Sequence, residues 1–234
     1  MVEQFSVGTP LRILSANLQN GGARPEAFAE LVETCGPDAV VVQELAPEQA
    51  DALARVLPHG ELAPDRTHTG MGIALRRPAR LARLPLAHRS AHLAALEPAA
   101  WPELSRPVEI VNVHILAPHC HPAWAQPWRR RRQVQALLAH VEADPERARA
   151  VVGDFNATPI WPVYRRLARS LEDLALAHAR ARGTRPARTW PRWRGAPLLR
   201  IDHCFGSGLV VESFEVVDLP GSDHYAIVVD TTLA

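Results

Sequence analysis

Residues 151–159 read VVGDFNATP and place an acid and an amide two positions apart, directly after an apolar run. The apolar run predicts a buried strand, and side chains two residues apart on an extended chain face the same side. We therefore expect Asp154 and Asn156 to point into one pocket while Phe155 packs behind them. A turn is the competing interpretation, because Gly, Asp and Asn favour turns and Thr158-Pro159 suits a helix start. Partners elsewhere in the chain decide between the two.

The overall composition predicts one globular domain spanning residues 1–234. With 47% hydrophobic and 22% charged residues, the 234-residue chain can bury a large core. No apolar run approaches the roughly 20 residues of a membrane helix, so we expect a cytoplasmic protein without a membrane span. Three cysteines without metal-finger spacing argue against a disulfide framework. Nothing in the sequence indicates the oligomeric state.

The chain contains no lysine, so all 26 of its basic residues are arginines. This excludes a Walker-type phosphate loop and a Schiff-base lysine. Arginine binds phosphate in a bidentate manner, although a coding bias towards Arg, Ala and Pro is the larger cause of this composition.

A net charge of +1 conceals a strong charge asymmetry. Residues 111–200 contain 16 Arg and 6 acids, a charge of +10, whereas the remainder contains 10 Arg and 19 acids, a charge of −9. A phosphate-bearing or polyanionic ligand would be attracted to the basic region. Alternatively, the two regions interleave in space and neutralise each other.

Strands and helices alternate along the sequence in a mixed order. Apolar periodicity predicts strands at residues 11–17, 38–44, 71–76, around 81, around 93, 108–114, 199–205, 209–217 and 225–230. It predicts helices at residues 25–34, from about 47, at 129–141, and one or two ending near 179. Hairpins mixed with helical crossovers favour an α/β (α+β) sandwich with mixed sheets over a uniform βαβ array.

Polar residues cluster at the ends of these predicted strands. The set comprises Asn17, Gln43-Glu44, His114, Asp154, Asn156, Asp202-His203 and Asp223-His224. Taken alone, an acid at a strand end is usually a solvated cap, and a single histidine more often packs in the core than takes part in catalysis. Together, acids, amides and histidines form a set that coordinates a hard divalent cation and activates water.

The order of these motifs resembles the endonuclease/exonuclease/phosphatase superfamily, which has a deoxyribonuclease I-like fold. The resemblance rests on Asn17, Gln43-Glu44, Asn112-Val113-His114, Gly153-Asp154-Phe155-Asn156, Arg200-Ile201-Asp202 and Ser222-Asp223-His224. With Thr189-Trp190-Pro191, the sequence looks closest to small bacterial members. The resemblance implies a four-layer α/β/β/α sandwich with its site at one edge of the two packed sheets.

The resemblance also implies a metal site. Glu44 would be the principal ligand, with Asn17 beside it and Asp223 near the same ion. One carboxylate plus water molecules suits Mg²⁺ or Mn²⁺, which keep much of their hydration.

Catalytic roles are implied for five further residues. Asp154 and Asn156 would position the attacking water and a phosphoryl oxygen, and His114 would donate to the phosphate. His224 would be the general acid/base, held by Asp202. Members of the superfamily differ in whether the aspartate corresponding to Asp154 or the final histidine takes the proton from water.

Two basic segments bear on the choice of substrate. Residues 180–200 contain seven Arg, and there we expect Arg185, Arg188, Arg192 and Arg194 to contribute to substrate binding. For the Arg-rich helix at 129–141 we favour a solvated face, with Trp124 and Trp128 filling the core.

We therefore expect a metal-dependent phosphoric ester hydrolase that acts on a phosphorylated small molecule or a phosphodiester. A DNA or RNA nuclease of the same fold is the alternative. A pseudoenzyme that binds phosphorylated ligands without turnover is a third interpretation, disfavoured by the complete set of acids and histidines.

Overall fold

A computed structural model describes residues 9–192 and 196–234, which form two six-stranded sheets flanked by helices. The strands are β1 Leu11–Asn17, β2 Ala39–Gln43, β3 His59–Ala63, β4 Met71–Leu75, β5 Arg80–Leu86, β6 Arg89–Leu96, β7 Val108–His114, β8 Ala148–Asp154, β9 Glu172–Asp173, β10 Asp202–Ser207, β11 Leu209–Val217 and β12 Ala226–Leu233. The helices are α1 Pro25–Cys35, α2 Pro47–Val56, α3 Gln126–Ala143, α4 Pro162–Leu167 and α5 Leu174–Ala181. None of the helices in these two ranges is long and apolar enough to cross a membrane.

Some local predictions of secondary structure were wrong or missing. Strand β3 was not predicted because it lies at a sheet edge, pairs with β4 alone and buries no side chain fully. The strand predicted at 199–205 begins only at Asp202, because Leu199 instead forms an isolated bridge with Trp190.

Each sheet contains one pair of parallel strands linked through a helix. The first sheet has the order β11-β12-β1-β2-β4-β3, and β1 runs parallel to β2. The second has the order β5-β6-β7-β8-β10-β9, and β7 runs parallel to β8. The carboxyl ends of parallel strands lie at one edge of a sheet. Because these four strands end in Asn17, Gln43, His114 and Asp154, each sheet has one polar edge.

The core is divided by the alternation of side chains along the strands. Ile13 and Val41 point between the two sheets, whereas Leu14 packs with α1 and α2 on the outer face of the first sheet. Val111 and Val151 pack with α3 on the outer face of the second sheet. The predicted four-layer α/β/β/α sandwich is confirmed.

A buried polar contact joins the two sheets beside their polar edges. Gln43 Nε2 donates to Asn112 Oδ1 at 2.7 Å, and Asn112 Nδ2 donates to the carbonyls of Val42 at 2.9 Å and Gly72 at 2.8 Å. Gln43 and Asn112 are fully buried, where an unpaired amide is costly. This contact therefore fixes how the two sheets are positioned against each other. It does so close to the site, because Gln43 precedes Glu44 by one residue and Asn112 precedes His114 by two.

Candidate active site

Strand pairing brings the predicted residues to one end of the sandwich. Asn17 is the register partner of Gln43 in the first sheet. In the second sheet Asp154 is the register partner of both His114 and Asp202. Asp202 reaches this edge from the start of its strand rather than the end, because β10 runs antiparallel to β8.

Glu44 follows β2 in a left-handed backbone conformation, with φ of 55°. Its Oε1 accepts from Asn17 Nδ2 at 3.4 Å, and its Oε2 lies 3.0 Å from His68 Nδ1. His114 Nε2 is 3.7 Å from Oε1. A non-glycine residue rarely adopts positive φ, and such positions are concentrated at functional sites. The conformation turns this carboxylate back towards the sheet edge.

Asp154 and Asn156 converge, but through a turn rather than through strand alternation. Strand β8 ends at Asp154, and Asn156 has φ of 47°. Asp154 Oδ1 accepts from the Asn156 backbone N–H at 2.7 Å, and Oδ2 accepts from Asn156 Nδ2 at 3.0 Å. The prediction of an extended chain was therefore wrong, whereas the prediction that Phe155 packs behind the pair is confirmed by its complete burial.

Asn17 links the two sheets across the site. Its Nδ2 donates to Asp154 Oδ2 at 3.0 Å as well as to Glu44. Its backbone carbonyl accepts from Ser222 Oγ at 2.7 Å, and Ser222 Oγ also accepts from the His224 backbone N–H at 3.0 Å. The strand-end amide thus positions two carboxylates and the loop that carries His224.

His224 and Asp202 form a close buried pair. His224 Nδ1 lies 3.0 Å and 3.1 Å from the two carboxylate oxygens of Asp202. Burial lowers the pKa of His224, but the charge and hydrogen bond of Asp202 outweigh burial and raise that pKa to about 10. Burial and the charge of Asp202 raise the pKa of Asp154, and His224 offsets part of this rise. Ligand atoms of Asp154, Asp202 and His224 all lie within 4.8 Å of one another.

His114 is buried as a neutral imidazole. Burial, and then the charge of Arg89, lower its pKa well below the usual value. Arg89 Nη1 lies 3.2 Å from Nδ1, and because a guanidinium can only donate, Nδ1 accepts and Nε2 carries the proton. Nε2 faces Asp154 Oδ2 at 3.6 Å.

Arg89 and His68 were missed by the sequence analysis. Arg89 begins β6, and its Nη1 also donates to the backbone carbonyl of His68 in the β3–β4 loop. A single arginine in a hairpin and a single histidine in a loop form no motif. Only the fold brings them to the site.

Asp223 lines the same cavity but has a different partner. Its Oδ2 accepts from Trp190 Nε1 at 3.0 Å, and its Oδ1 is 3.9 Å from His224 Nε2. The cavity has a volume of about 570 Å³ and is also lined by Glu44, His114, Asp154 and Asn156. Its size suits a phosphate group with part of its ester.

The arginines predicted to bind substrate differ in their surroundings. Arg192 forms a two-point ion pair with Asp218, and its role in substrate binding stays a prediction. Arg185 and Arg188 are exposed, and Arg188 Nη1 lies 3.5 Å from the Pro197 carbonyl. Arg194 lies outside the described residues. Arg185, Arg188 and Arg194 therefore stay predictions.

The expectation that Trp124 and Trp128 fill the core was wrong. They are 78% and 65% exposed. They lie on the short 3₁₀ turn Ala123–Ala125 and in the first turn of α3, which begins three residues before the predicted helix. Pro127 in that first turn is pre-organised for a helix start. Both indoles thus face outward.

His203, next to Asp202, has a structural role. Its ring is buried against Phe155, Tyr164 and Phe205. Its Nδ1 accepts from Arg200 at 3.0 Å, so Nε2 carries the proton and donates to the Ala157 carbonyl at 2.7 Å. These two contacts require a neutral imidazole.

We expect His203 to make folding stability depend on pH. Burial, and then the charge of Arg200, lower its pKa to about 4, although Asp173 opposes this shift. An unfolded histidine titrates near 6.5, so its contribution is complete above about pH 6.5 and is lost as pH falls towards 4. The loss amounts to about 3 kcal/mol at 1.36 kcal/mol per pKa unit.

Urea unfolding at pH 7.5 and 4.5 tests this expectation. Other buried histidines titrate in the same range, so His203→Gln serves as the reference. The variant should lose less unfolding free energy between the two pH values than the wild type. Equal losses in both proteins would contradict the assignment.

Comparisons with known proteins agree with this geometry. The sequence profile described as "Endonuclease/Exonuclease/phosphatase family" matches residues 14–224. A sequence comparison with curated proteins finds no match.

Solved structures share the fold at low sequence identity. An endonuclease/exonuclease/phosphatase from Bacteroides vulgatus has a TM-score of 0.75 and 17% identity, covering 97% of this chain and 100% of its own. One from Beutenbergia cavernae has a TM-score of 0.71 and 19% identity, covering 97% and 72%. The human Nocturnin catalytic domain with bound sulfate has a TM-score of 0.68 and 19% identity, covering 96% and 95%. At such identities the likeness shows the deoxyribonuclease I-like fold alone.

Proposed function

This chain belongs to the Endonuclease/Exonuclease/phosphatase family, and from that premise we propose that it is a divalent-metal-dependent phosphoester hydrolase. We propose a phosphodiester or a small phosphorylated metabolite as its substrate. The family name covers enzymes that hydrolyse phosphate esters. One solved protein of the same fold holds a sulfate anion, which has the tetrahedral shape of phosphate.

The observation that carries the proposal is the convergence of Asp154, Asp202 and His224 within 4.8 Å. They face a second group, in which Asn17 contacts both Glu44 and Asp154. The raised pKa of Asp154 reflects negative charge crowded into a buried space. A divalent cation would relieve that crowding, and the carboxylate and amide oxygens are the donors that Mg²⁺ and Mn²⁺ prefer.

Glu44 would be the principal ligand of the cation, and Asp223, which lines the same cavity, would lie near the same ion. Asn17 would join them only through its amide oxygen, which in this structure accepts from the Gln19 backbone N–H at 2.9 Å. When bound, the cation would offset the negative charge of the phosphoryl oxygens and lower the pKa of nearby groups. His114 Nε2–H, kept protonated by the contact of Arg89 with Nδ1, would donate to a phosphoryl oxygen. Neutral His114 donates without adding charge.

His224 would transfer the proton during hydrolysis. Asp202 accepts from Nδ1 and its charge favours the protonated ring, so Nε2 would donate its proton to the leaving oxygen. Asp154 and Asn156 would orient the attacking water, since Asp154 is held by backbone and side-chain donors on one rigid turn. Asp154 is the alternative proton acceptor.

A nuclease activity is the second candidate, favoured by the exposed Trp128 in the Arg-rich helix α3. Exposed aromatics among arginines can stack bases and bind phosphates. Nicking of supercoiled plasmid would distinguish this activity from hydrolysis of small esters.

The decisive experiment is a substrate panel with the purified full chain. We expect bis(4-nitrophenyl) phosphate or 4-nitrophenyl phosphate to be hydrolysed with added Mg²⁺ or Mn²⁺ and not in excess EDTA. Glu44→Gln, prepared identically, controls for contaminating hydrolases. Full turnover in EDTA would remove the metal requirement, and no turnover of any ester or plasmid would favour a binding protein.

A further inference from the structure

A second cavity adjoins the candidate active site. This groove, between the start of α3 and the start of α4, has a volume of about 440 Å³. Pro118 and Trp161 line both the groove and the active-site cavity. Arg130 lines the groove, and its Nη2 donates to the Asn156 carbonyl at 2.8 Å. A ligand in the groove would therefore be continuous with one in the active-site cavity.

The groove has aromatic walls and is bordered by positive charge. Trp128, which is 65% exposed, and Trp161 supply indole rings. The charged lining residues are Arg130, Arg131 and Arg166, and no acid is found there in the described part of the chain. Large apolar side chains left exposed together commonly mark a binding surface.

Arg130 is a buried cation whose charge Asp154 offsets only in part. It is 5% exposed, its Nε lacks a hydrogen-bond partner, and no carboxylate pairs with it within residues 9–192 and 196–234. Its guanidinium lies over the Trp161 ring, 5.1 Å from the centroid. Burial lowers the pKa of Arg130 to about 10. A buried guanidinium without an acid is costly, and an anionic ligand nearby would offset that cost.

We propose that the groove is a subsite for the non-reacting part of the substrate, and that this part is a planar aromatic group. This inference rests on the proposed function, because it places the phosphate in the active-site cavity. Guanidinium and indole groups both stack on flat rings. An aliphatic chain in the groove would remove water from the guanidiniums of Arg130, Arg131 and Arg166 and offer them no stacking contact in return.

Binding of three phosphonates to the full chain with Mg²⁺ tests the proposal by calorimetry. The probes are methylphosphonate, 2-phenylethylphosphonate and octylphosphonate, of which the last two each have eight carbons. We expect 2-phenylethylphosphonate to bind about tenfold more tightly than methylphosphonate, as for one stacked ring. It should also bind more tightly than octylphosphonate.

Trp128→Ala should remove most of that tenfold ratio. Trp124→Ala is the matched control, because Trp124 is 78% exposed one helical turn away and does not line the groove. Thermal melts establish that both variants are folded. Tighter binding of octylphosphonate would overturn the aromatic assignment, and an equal loss in both variants would overturn the groove as the subsite.

Failure of the proposed function has a different signature. The ratio of the affinities for 2-phenylethylphosphonate and methylphosphonate measures binding in the groove. The dependence of methylphosphonate binding on Mg²⁺ measures binding at the metal site. Methylphosphonate binding unaffected by EDTA, with the aromatic preference intact, would contradict the metal site and leave the groove assignment standing.

Discussion

His224→Ala is expected to lower kcat by roughly 10²- to 10⁴-fold, the usual contribution of a general acid or base. Asp202→Asn should cost much of the same factor, because Asp202 holds His224 Nδ1 with both carboxylate oxygens. The double variant should be scarcely slower than His224→Ala, since residues that share one catalytic role are non-additive.

The measurement is kcat for both single variants and the double variant at saturating Mg²⁺, with the best substrate of the panel. His59→Ala, in the exposed edge strand β3, controls for loss of a histidine as such. If the losses in kcat of the two single variants multiply in the double variant, His224 and Asp202 do not act as a coupled pair. If His224→Ala is fully active, proton transfer is assigned to Asp154 instead.

Glu44→Gln is expected to lower activity by on the order of 10²- to 10³-fold, the cost of removing one group that stabilises transition-state charge. It should also abolish the rise in Tm that Mg²⁺ or Mn²⁺ gives the wild type, because a ligand stabilises only the state that binds it. In EDTA the variant should melt close to the wild type, since a glutamine side chain keeps an oxygen that can accept from Asn17 Nδ2.

Thermal melts with and without metal test this second prediction independently of turnover. Glu30→Gln, on the exposed face of α1, is the matched control and should keep the full metal-dependent rise. An unchanged rise in Glu44→Gln would show that the cation binds elsewhere.

Most strands were predictable because buried strands have a strong local signature, whereas the four layers were predicted from the resemblance to the superfamily. Strands β1 and β8 are apolar runs that end in polar residues, and both were predicted with these polar ends. Strand β3 was not, because an edge strand with Gly60 and exposed side chains has no such periodicity.

The site was predictable only where its residues belong to motifs. Asp154 and Asp202 were expected together, and pairing of β8 with β10 makes them register partners. Arg89 sets the proton on His114 from a different hairpin, a contact that depends on tertiary structure alone. The exposure of Trp128 likewise depends on how α3 packs rather than on local sequence.

The order of the strands in the first sheet also determines when the site can exist during synthesis. Residues 80–207 supply the whole second sheet without interruption, whereas the first sheet combines β1–β4 with β11 and β12. Glu44 therefore leaves the ribosome long before His224, which lies in the connection between the last two strands. All strands of the second sheet are therefore synthesised before the loop that carries His224. The proposed site is therefore incomplete until β12 has paired with β1 in the first sheet.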